Sequence, residues 1–183
     1  MSLGQSRVYL RKAVALIALD DLNRMDATAF TAALAQVFEH APWVAARAAR
    51  KRPFASRAAL HETMKDIVRS ASDSEQMALI CGHPELAGKA AVALTTDSAS
   101  EQRGAGLDRL TQDEYERFHA LNSAYRDKFG FPFIMAVKGR GKGDILEGFA
   151  ARLESTRPAE IATALYQIGR IAGCRLADLV TER

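Results

Sequence analysis

The sequence predicts an all-α fold, a single compact helical domain of about 8 helices. Alanine, the strongest helix former, supplies 34 of the 183 residues, whereas glycine (12) and proline (5) are sparse and aromatic residues make up only 7%. Apolar residues recur at helical spacing along most of the chain, separated by short polar stretches able to cap a helix. A chain of this length buries about 70% of its unfolded surface on folding, so its core needs neither metal nor disulfide. A hydrophobic content of 48% excludes wholesale disorder.

Residues 1–25 are expected to form a partly helical N-terminal segment ahead of a domain spanning 26–183. Asp26 is placed to cap a first helix in which Phe30, Ala33, Leu34, Val37 and Phe38 share a face, carrying it to about His40. Pro42 suits a first helical turn and opens a second helix, Trp43 to Ala49, which runs into Arg50, Lys51 and Arg52 before Pro53. A third extends from about Ser56 to Ser70. Ser72 and Glu75 have the spacing of a capping box and start Gln76 to Cys81, stopped by Gly82. The segment 83–88 is irregular. Ser98 with Glu101 repeats the capping spacing, which predicts a helix from Gln102 to Leu110. Thr111 with Glu114 does so again, ahead of a long helix through Tyr115, Phe118, Asn122 and Tyr125 to about Lys128. From 129 to 137 the helical period breaks, and this run is expected to be extended or a buried loop. Helices at about 144–155 and 158–181 follow the glycines at 139, 141 and 143.

The last helix holds an anomaly. At 100° per residue, Ile161, Leu165, Ile168, Ala172 and Leu179 form one stripe, and Arg175 falls inside it, about 40° from its centre. An inward guanidinium requires a carboxylate, a bound anion, or a stem long enough to carry its charge back to water. The stretch from Ser98 to Gln102 is a second candidate, because the free amides and positive dipole end of a helix start suit a carbonyl-rich or anionic ligand; a plain cap is the simpler reading. His83 is a third. The proline after it favours an extended backbone from which an imidazole can project, and imidazole exchanges protons near neutral pH. A simple turn would explain the same pair, and His40, His61 and His119 compete by residue type.

Other function classes fit poorly. No apolar run approaches the roughly 20 residues of a membrane span, and the first residues lack a basic region followed by an apolar stretch, so a cytoplasmic location is expected. Cys81 and Cys174 are too far apart for metal-ligand spacing and sit among apolar or small neighbours, as buried thiols would. The net charge of +3 from 25 basic and 22 acidic residues is no polyanion footprint. The run 139–143 has Ala136 where a phosphate loop needs glycine, and Gly143 where it needs Ser or Thr. Arg47, Arg50, Lys51 and Arg52 lack interleaved aromatics and read as a solvated helix end.

Taken in order, His83-Pro84-Glu85-Leu86-Ala87-Gly88, then Ser98, Glu101 and Gln102, then Leu121-Asn122-Ser123, Tyr125 and Phe129-Gly130-Phe131-Pro132-Phe133, and finally Cys174-Arg175-Leu176 form one pattern. Together with Arg52-Pro53-Phe54, it resembles the 2-oxo-4-hydroxy-4-carboxy-5-ureidoimidazoline (OHCU) decarboxylase family, the last enzyme of the uricase route from urate to (S)-allantoin. The likeness runs from about Phe30 to Asp178. It leaves the first 25 residues uncovered, and the interval between His83 and Ser98 is slightly shorter than in animal members. Ser72, Glu75 and Gln76 repeat the spacing as a decoy, but the family places this motif after His-Pro.

The resemblance implies an all-α, cofactor-free, metal-free and usually dimeric carboxy-lyase with a small-molecule substrate and no nucleic-acid or membrane partner. By position it makes His83, Glu101 and Arg175 catalytic. Pro84, Ser98, Gln102 and the stretch Phe133, Ile134, Met135, Ala136 and Val137 become substrate-binding. His83 would orient the substrate and transfer the stereospecific proton, with Glu101 pairing with the imidazole or the substrate hydroxyl and Arg175 engaging an anionic oxygen. Two alternatives stay open at this stage. One is a non-catalytic helical module binding through Arg47 to Arg52, with the steep salt dependence of nucleic-acid binding; the other is a decarboxylase of a related ureido acid.

Overall fold

The computed structural model describes residues 16–88 and 95–182. Among the described residues the chain forms nine helices and one two-residue strand pair. The strand β1 (Ile17–Ala18) precedes α1 (Leu19–Arg24), α2 (Ala27–Leu34), α3 (Pro42–Ala49), α4 (Arg57–Arg69) and α5 (Asp73–Cys81). There follow α6 (Thr96–Gly104), α7 (Gln112–Phe129), α8 (Lys142–Leu153), α9 (Arg157–Leu179) and β2 (Val180–Thr181). The all-α class holds; the helix beyond the expected eight is α1, whose Leu19 and Leu22 are buried in the same core as the later helices.

Local chemistry sets most helix starts. The side chains of Asp26, Ser56, Ser72 and Thr111 each accept a bond from an amide three residues on. Ser72 with Glu75 and Thr111 with Glu114 form complete capping boxes. The pattern at Ser98 does not. Helix α6 begins a turn earlier, capped by Thr95, whose hydroxyl accepts from the Ser98 amide, and it ends at Gly104 instead of running to Leu110. Ser98 therefore lies inside the first turn, free to turn its hydroxyl into the protein.

Two other boundaries differ from expectation. Helix α2 stops at Leu34, and the chain reaches His40 through turns, with His40 itself in the left-handed region at φ 58°. Helix α9 stops at Leu179, because Val180 and Thr181 extend to pair in parallel with Ile17 and Ala18. Cys81 is exposed and Cys174 half-buried, so neither is the buried thiol its neighbours suggested; Cys81 ends α5 on its solvent side.

Helix α9 is the spine, packing on α4, α5 and α7. Its buried face is Glu160, Ala164, Ile168, Ile171, Ala172, Arg175 and Leu176, while Ile161, Leu165 and Leu179 of the predicted stripe are only half-buried. The true face is rotated because it contains two charged residues. One of them, Glu160, accepts from the Tyr125 hydroxyl and from Arg152 Nε at 2.8 Å.

That triad secures the segment 131–137. Gly130, at φ 81°, reverses the chain after α7, and every residue from Phe131 to Val137 is buried. Buried extended backbone needs partners from outside itself. Arg152 Nη1 donates to the Ile134 carbonyl at 2.6 Å, and the Ala136 amide donates to Gln167 Oε1 at 3.0 Å. Phe133 stacks on Phe149 at 3.7 Å and meets Tyr125 edge-on at 5.2 Å. Arg152→Ala would leave Glu160 1% exposed and without its cation. The expected cost is about 3–5 kcal/mol, seen in thermal melts as a loss of roughly 10 °C for a domain of this size; an unchanged Tm would contradict this account of the segment's anchoring.

Two of the four cations at the end of α3 and just beyond it are committed to the fold. Arg47 pairs with Glu75 at 2.5 Å and lies over the Trp43 ring. Arg52 donates to the Ala49 and Met25 carbonyls and covers the Phe30 ring.

Candidate active site

Helix α5 ends at Gly82, and His83 follows directly, 7% exposed. Its Nδ1 lies 2.9 Å from the Leu79 carbonyl. A carbonyl can only accept, so Nδ1 carries the proton and, in the neutral ring, Nε2 keeps a lone pair. Burial pushes the imidazole below its ordinary value; the bond to Leu79 and the charge of Glu39 raise it but do not offset that, and Arg175 and His40 lower it further. The resting ring is therefore neutral, a proton acceptor at Nε2.

On α6, Ser98, Glu101 and Gln102 stand at the i, i+3 and i+4 positions of one face. From α9, Arg175 reaches this face: Nε donates to Glu101 Oε1 at 2.9 Å and Nη2 to Glu101 Oε2 at 3.0 Å, a bidentate pair. Nη2 also lies 3.1 Å from Ser98 Oγ and 3.2 Å from Glu39 Oε2, and Nη1 donates to the Gln36 carbonyl at 3.2 Å. The partner that the inward arginine demanded is thus a pair of carboxylates.

Glu39 had no signal in the sequence. It follows Val37 and Phe38 and reads as the polar side of a continuing helix; because α2 stops early, the turn instead points it inward, where it is fully buried. Burial raises its carboxyl, but the bond from the Ser98 hydroxyl, the neighbouring Thr95 hydroxyl and the positive charge of Arg175 together hold it below the usual carboxylate range. The Ser98 hydroxyl donates to Glu39 Oε2 at 2.5 Å. The carboxylate nearest in effect to His83 is thus Glu39, while Glu101 is engaged by Arg175.

The loop after His83 is clamped from two helices. Gln102 Oε1 accepts from the Ala87 amide at 3.1 Å, and its Nε2 donates to the Glu85 carbonyl at 3.2 Å. Asn122 Nδ2 donates to the Leu86 carbonyl at 2.8 Å. Gln102 and Ser98, expected as direct substrate ligands, both make protein bonds here.

His83, Pro84, Ser98, Glu101, Gln102, Ile134, Met135, Val137 and Arg175 surround one chamber, joined by Leu86 and Ile171. Phe133 and Ala136 stand outside its lining, the first packed in the aromatic core and the second tied to Gln167. The chamber is small, about 30 Å³. A cleft of about 350 Å³ lined by Gln36, Asp97, Ser100 and Asp178 shares only Glu101 and Arg175 with it, so that ion pair is the partition between the two. A roomier cleft of about 500 Å³ between α4 and α9 is lined by one histidine, His61, whose Nε2 is bound to the Gly169 carbonyl, and by the cations Lys65, Arg69 and Arg170, with no carboxylate among its lining residues. Among the described residues no cluster of three or more His, Cys, Asp or Glu side chains could hold a metal ion, and no helix is long and apolar enough to cross a membrane.

A family model described as OHCU decarboxylase matches residues 23–177. The chain belongs to the OHCU decarboxylase family. Among its relatives, the uric acid degradation bifunctional protein of Bacillus subtilis is 48% identical over 168 residues, which are 92% of this chain but only 34% of that protein. This OHCU decarboxylase family member thus spans about a third of its bifunctional relative. The 2-oxo-4-hydroxy-4-carboxy-5-ureidoimidazoline decarboxylase of the archaeon Halalkalicoccus jeotgali is 41% identical over 91% of this chain and 94% of its own length. Among solved structures, an (S)-allantoin synthase superposes with a TM-score of 0.73 at 30% identity, covering 89% of this chain and 54% of that one. An OHCU decarboxylase crystallised in the presence of (S)-allantoin shares the fold, with a TM-score of 0.61 at 21% identity over 74% of this chain and 88% of that one.

Proposed function

We propose that this chain is a carboxy-lyase that converts 2-oxo-4-hydroxy-4-carboxy-5-ureidoimidazoline to (S)-allantoin and CO2 in urate degradation, using its own side chains and no cofactor. The observation that carries the reading is the convergence on one chamber of His83, Ser98, Glu101, Gln102 and Arg175, groups drawn from three separate stretches of sequence.

The chemistry asks for little beyond placement. When the bond to the carboxylate breaks, its electron pair forms a double bond to the neighbouring ring carbon, and the imine electrons shift onto nitrogen, which takes a proton from solvent. The resulting enol must lose its hydroxyl proton and gain one at the ring carbon that becomes allantoin's stereocentre. A neutral imidazole with a free lone pair at Nε2 suits both transfers: it accepts the hydroxyl proton as the carbonyl forms and returns it to one face of the carbon. The bond from Nδ1 to Leu79 fixes the tautomer and the ring's direction.

Arg175 supplies positive charge for a developing anionic oxygen, and Glu101, partly exposed at the partition, exchanges its place on Arg175 for contact with the substrate. Ser98 and Gln102 first hold Arg175 and the 85–87 loop, and reach substrate by exchanging those bonds. Ile134, Met135 and Val137 line the chamber and form the wall against which the ligand packs. The family likeness also supports a homodimer acting in the cytoplasm, which sedimentation and fractionation would check.

Because the substrate decays spontaneously, the test is coupled. Uricase and hydroxyisourate hydrolase generate it in place, this protein is added, and circular dichroism follows the product. A rapid rise of a single allantoin enantiomer is expected; racemic product forming at the uncatalysed rate would sink the assignment.

A further inference from the structure

Glu39 is the least exposed ionised group in the site, and nothing in the proton and charge roles above uses it. A buried carboxylate serves stability poorly, since an apolar side chain of similar size generally serves as well or better. Arg175 is already paired in bidentate fashion by Glu101, so Glu39 is redundant for charge balance in the resting arrangement. Its Oε1 is buried with no hydrogen-bond partner, the nearest cationic candidate being His40 Nε2 at 4.0 Å. Such an orphaned oxygen is uncommon unless the group has work other than packing. The backbone at His40, in the left-handed region, completes the turn that aims Glu39 inward.

The two carboxylates on Arg175 differ in access. Glu101 is 23% exposed at the partition, while Glu39 has no exposure. We propose that Glu39 is a positioning residue of the decarboxylation: it is the permanent counter-ion that holds Arg175 and the Ser98 hydroxyl in place when Glu101 exchanges onto substrate, and it presents a fixed negative charge to His83. The inference rests on the reaction proposed above.

The groups facing His83 are Glu39 and His40 from the turn after α2, the Leu79 carbonyl from α5, and Arg175 from α9. Glu39 in turn faces Thr95 and Ser98 of the α6 start. Of these, Glu39 is the carboxylate acting on the imidazole, and it favours the protonated ring; Glu101 of α6 lines the same chamber but is paired with Arg175. Glu39→Gln keeps the volume and removes the charge, so the His83 midpoint must fall further.

The experiment pairs steady-state kinetics of the whole protein across pH with an NMR titration of the His83 ring. For Glu39→Gln the expected result is a loss of about 10²-fold, mostly in kcat with KM little changed. The acid limb of kcat/KM and the His83 midpoint both move to lower pH. Glu39→Asp keeps the charge one methylene back, and is expected to hold the His83 midpoint while kcat still falls; it carries the test if the Gln variant does not fold. A wild-type kcat in either variant overturns the proposal, as does a pH-independent loss with an unmoved His83 midpoint. Wild-type protein inactive in the coupled assay would instead defeat the reaction, while the NMR titration would still report the Glu39–His83 coupling.

Discussion

His83→Ala is expected to lower kcat by about 10²–10⁴-fold, the usual worth of a positioned acid/base group, with the helical far-UV spectrum unchanged. Among the described residues the side chain bonds only to the Leu79 carbonyl, so its removal leaves the helices their packing, and the loop's clamps from Gln102 and Asn122 do not involve it. As the proposed acid/base, the same imidazole is expected to set the pH dependence. Burial holds it below its ordinary value of about 6.5, so the neutral form persists into mildly acid solution. Activity is therefore expected to hold at pH 6.5 and to fall only at lower pH, as Nε2 takes a proton and loses its lone pair. Stability follows the same direction: the unfolded chain binds this proton more readily, so the contribution of neutral His83 is present above the ordinary imidazole value and lost as pH falls through the folded one. A kcat/KM profile whose acid limb sits above pH 6.5 would contradict the neutral resting ring.

Arg175→Lys is expected to lose about 10²-fold in kcat and to destabilise the fold. The guanidinium makes bonds in several directions at once, to Glu101, Glu39, Ser98 and the Gln36 carbonyl. A single ammonium cannot reproduce the bidentate fork. Arg175→Met is the harsher change, because Glu39 and Glu101 would face one another without a cation; removing one partner from such a buried group costs about 3–5 kcal/mol. Denaturant midpoints should rank wild type above Lys and Lys above Met. A lysine variant with wild-type kcat would show that the fork is not used in the reaction.

What the sequence made legible was whatever local spacing decides. The caps at Asp26, Ser72 and Thr111 need only a side-chain oxygen three residues before an amide, and all three are present. At α6 the same spacing is offered twice, by Thr95 with Ser98 and by Ser98 with Glu101. The choice falls to the first because the Ser98 hydroxyl is drawn to Glu39, 59 residues away in sequence, which no local rule can see. Arg175 was legible because it interrupted an apolar stripe. Glu160, Arg152 and Glu39 were not, since a charge without an apolar frame reads as solvated. Two of them are buried outright and the third nearly so, because their partners arrive from other helices. Most lining residues of the chamber could be named in advance from the ordered motif, but the network that spends Ser98, Gln102 and Glu101 on protein partners depends on three-dimensional reach.

The partition formed by Glu101 and Arg175 has a consequence for inhibitors. Any anionic ligand that claims Arg175 competes with a carboxylate tethered beside it, whose effective concentration no external molecule matches. Its measured affinity is then a difference between two similar interactions, and charge alone adds little. A neutral ring analogue leaves the internal pair intact and gains nothing from the guanidinium's charge, relying on contacts with the small chamber's walls. Selective inhibition therefore favours compounds that give the displaced Glu101 a donor of its own, turning the resident competitor into a ligand contact.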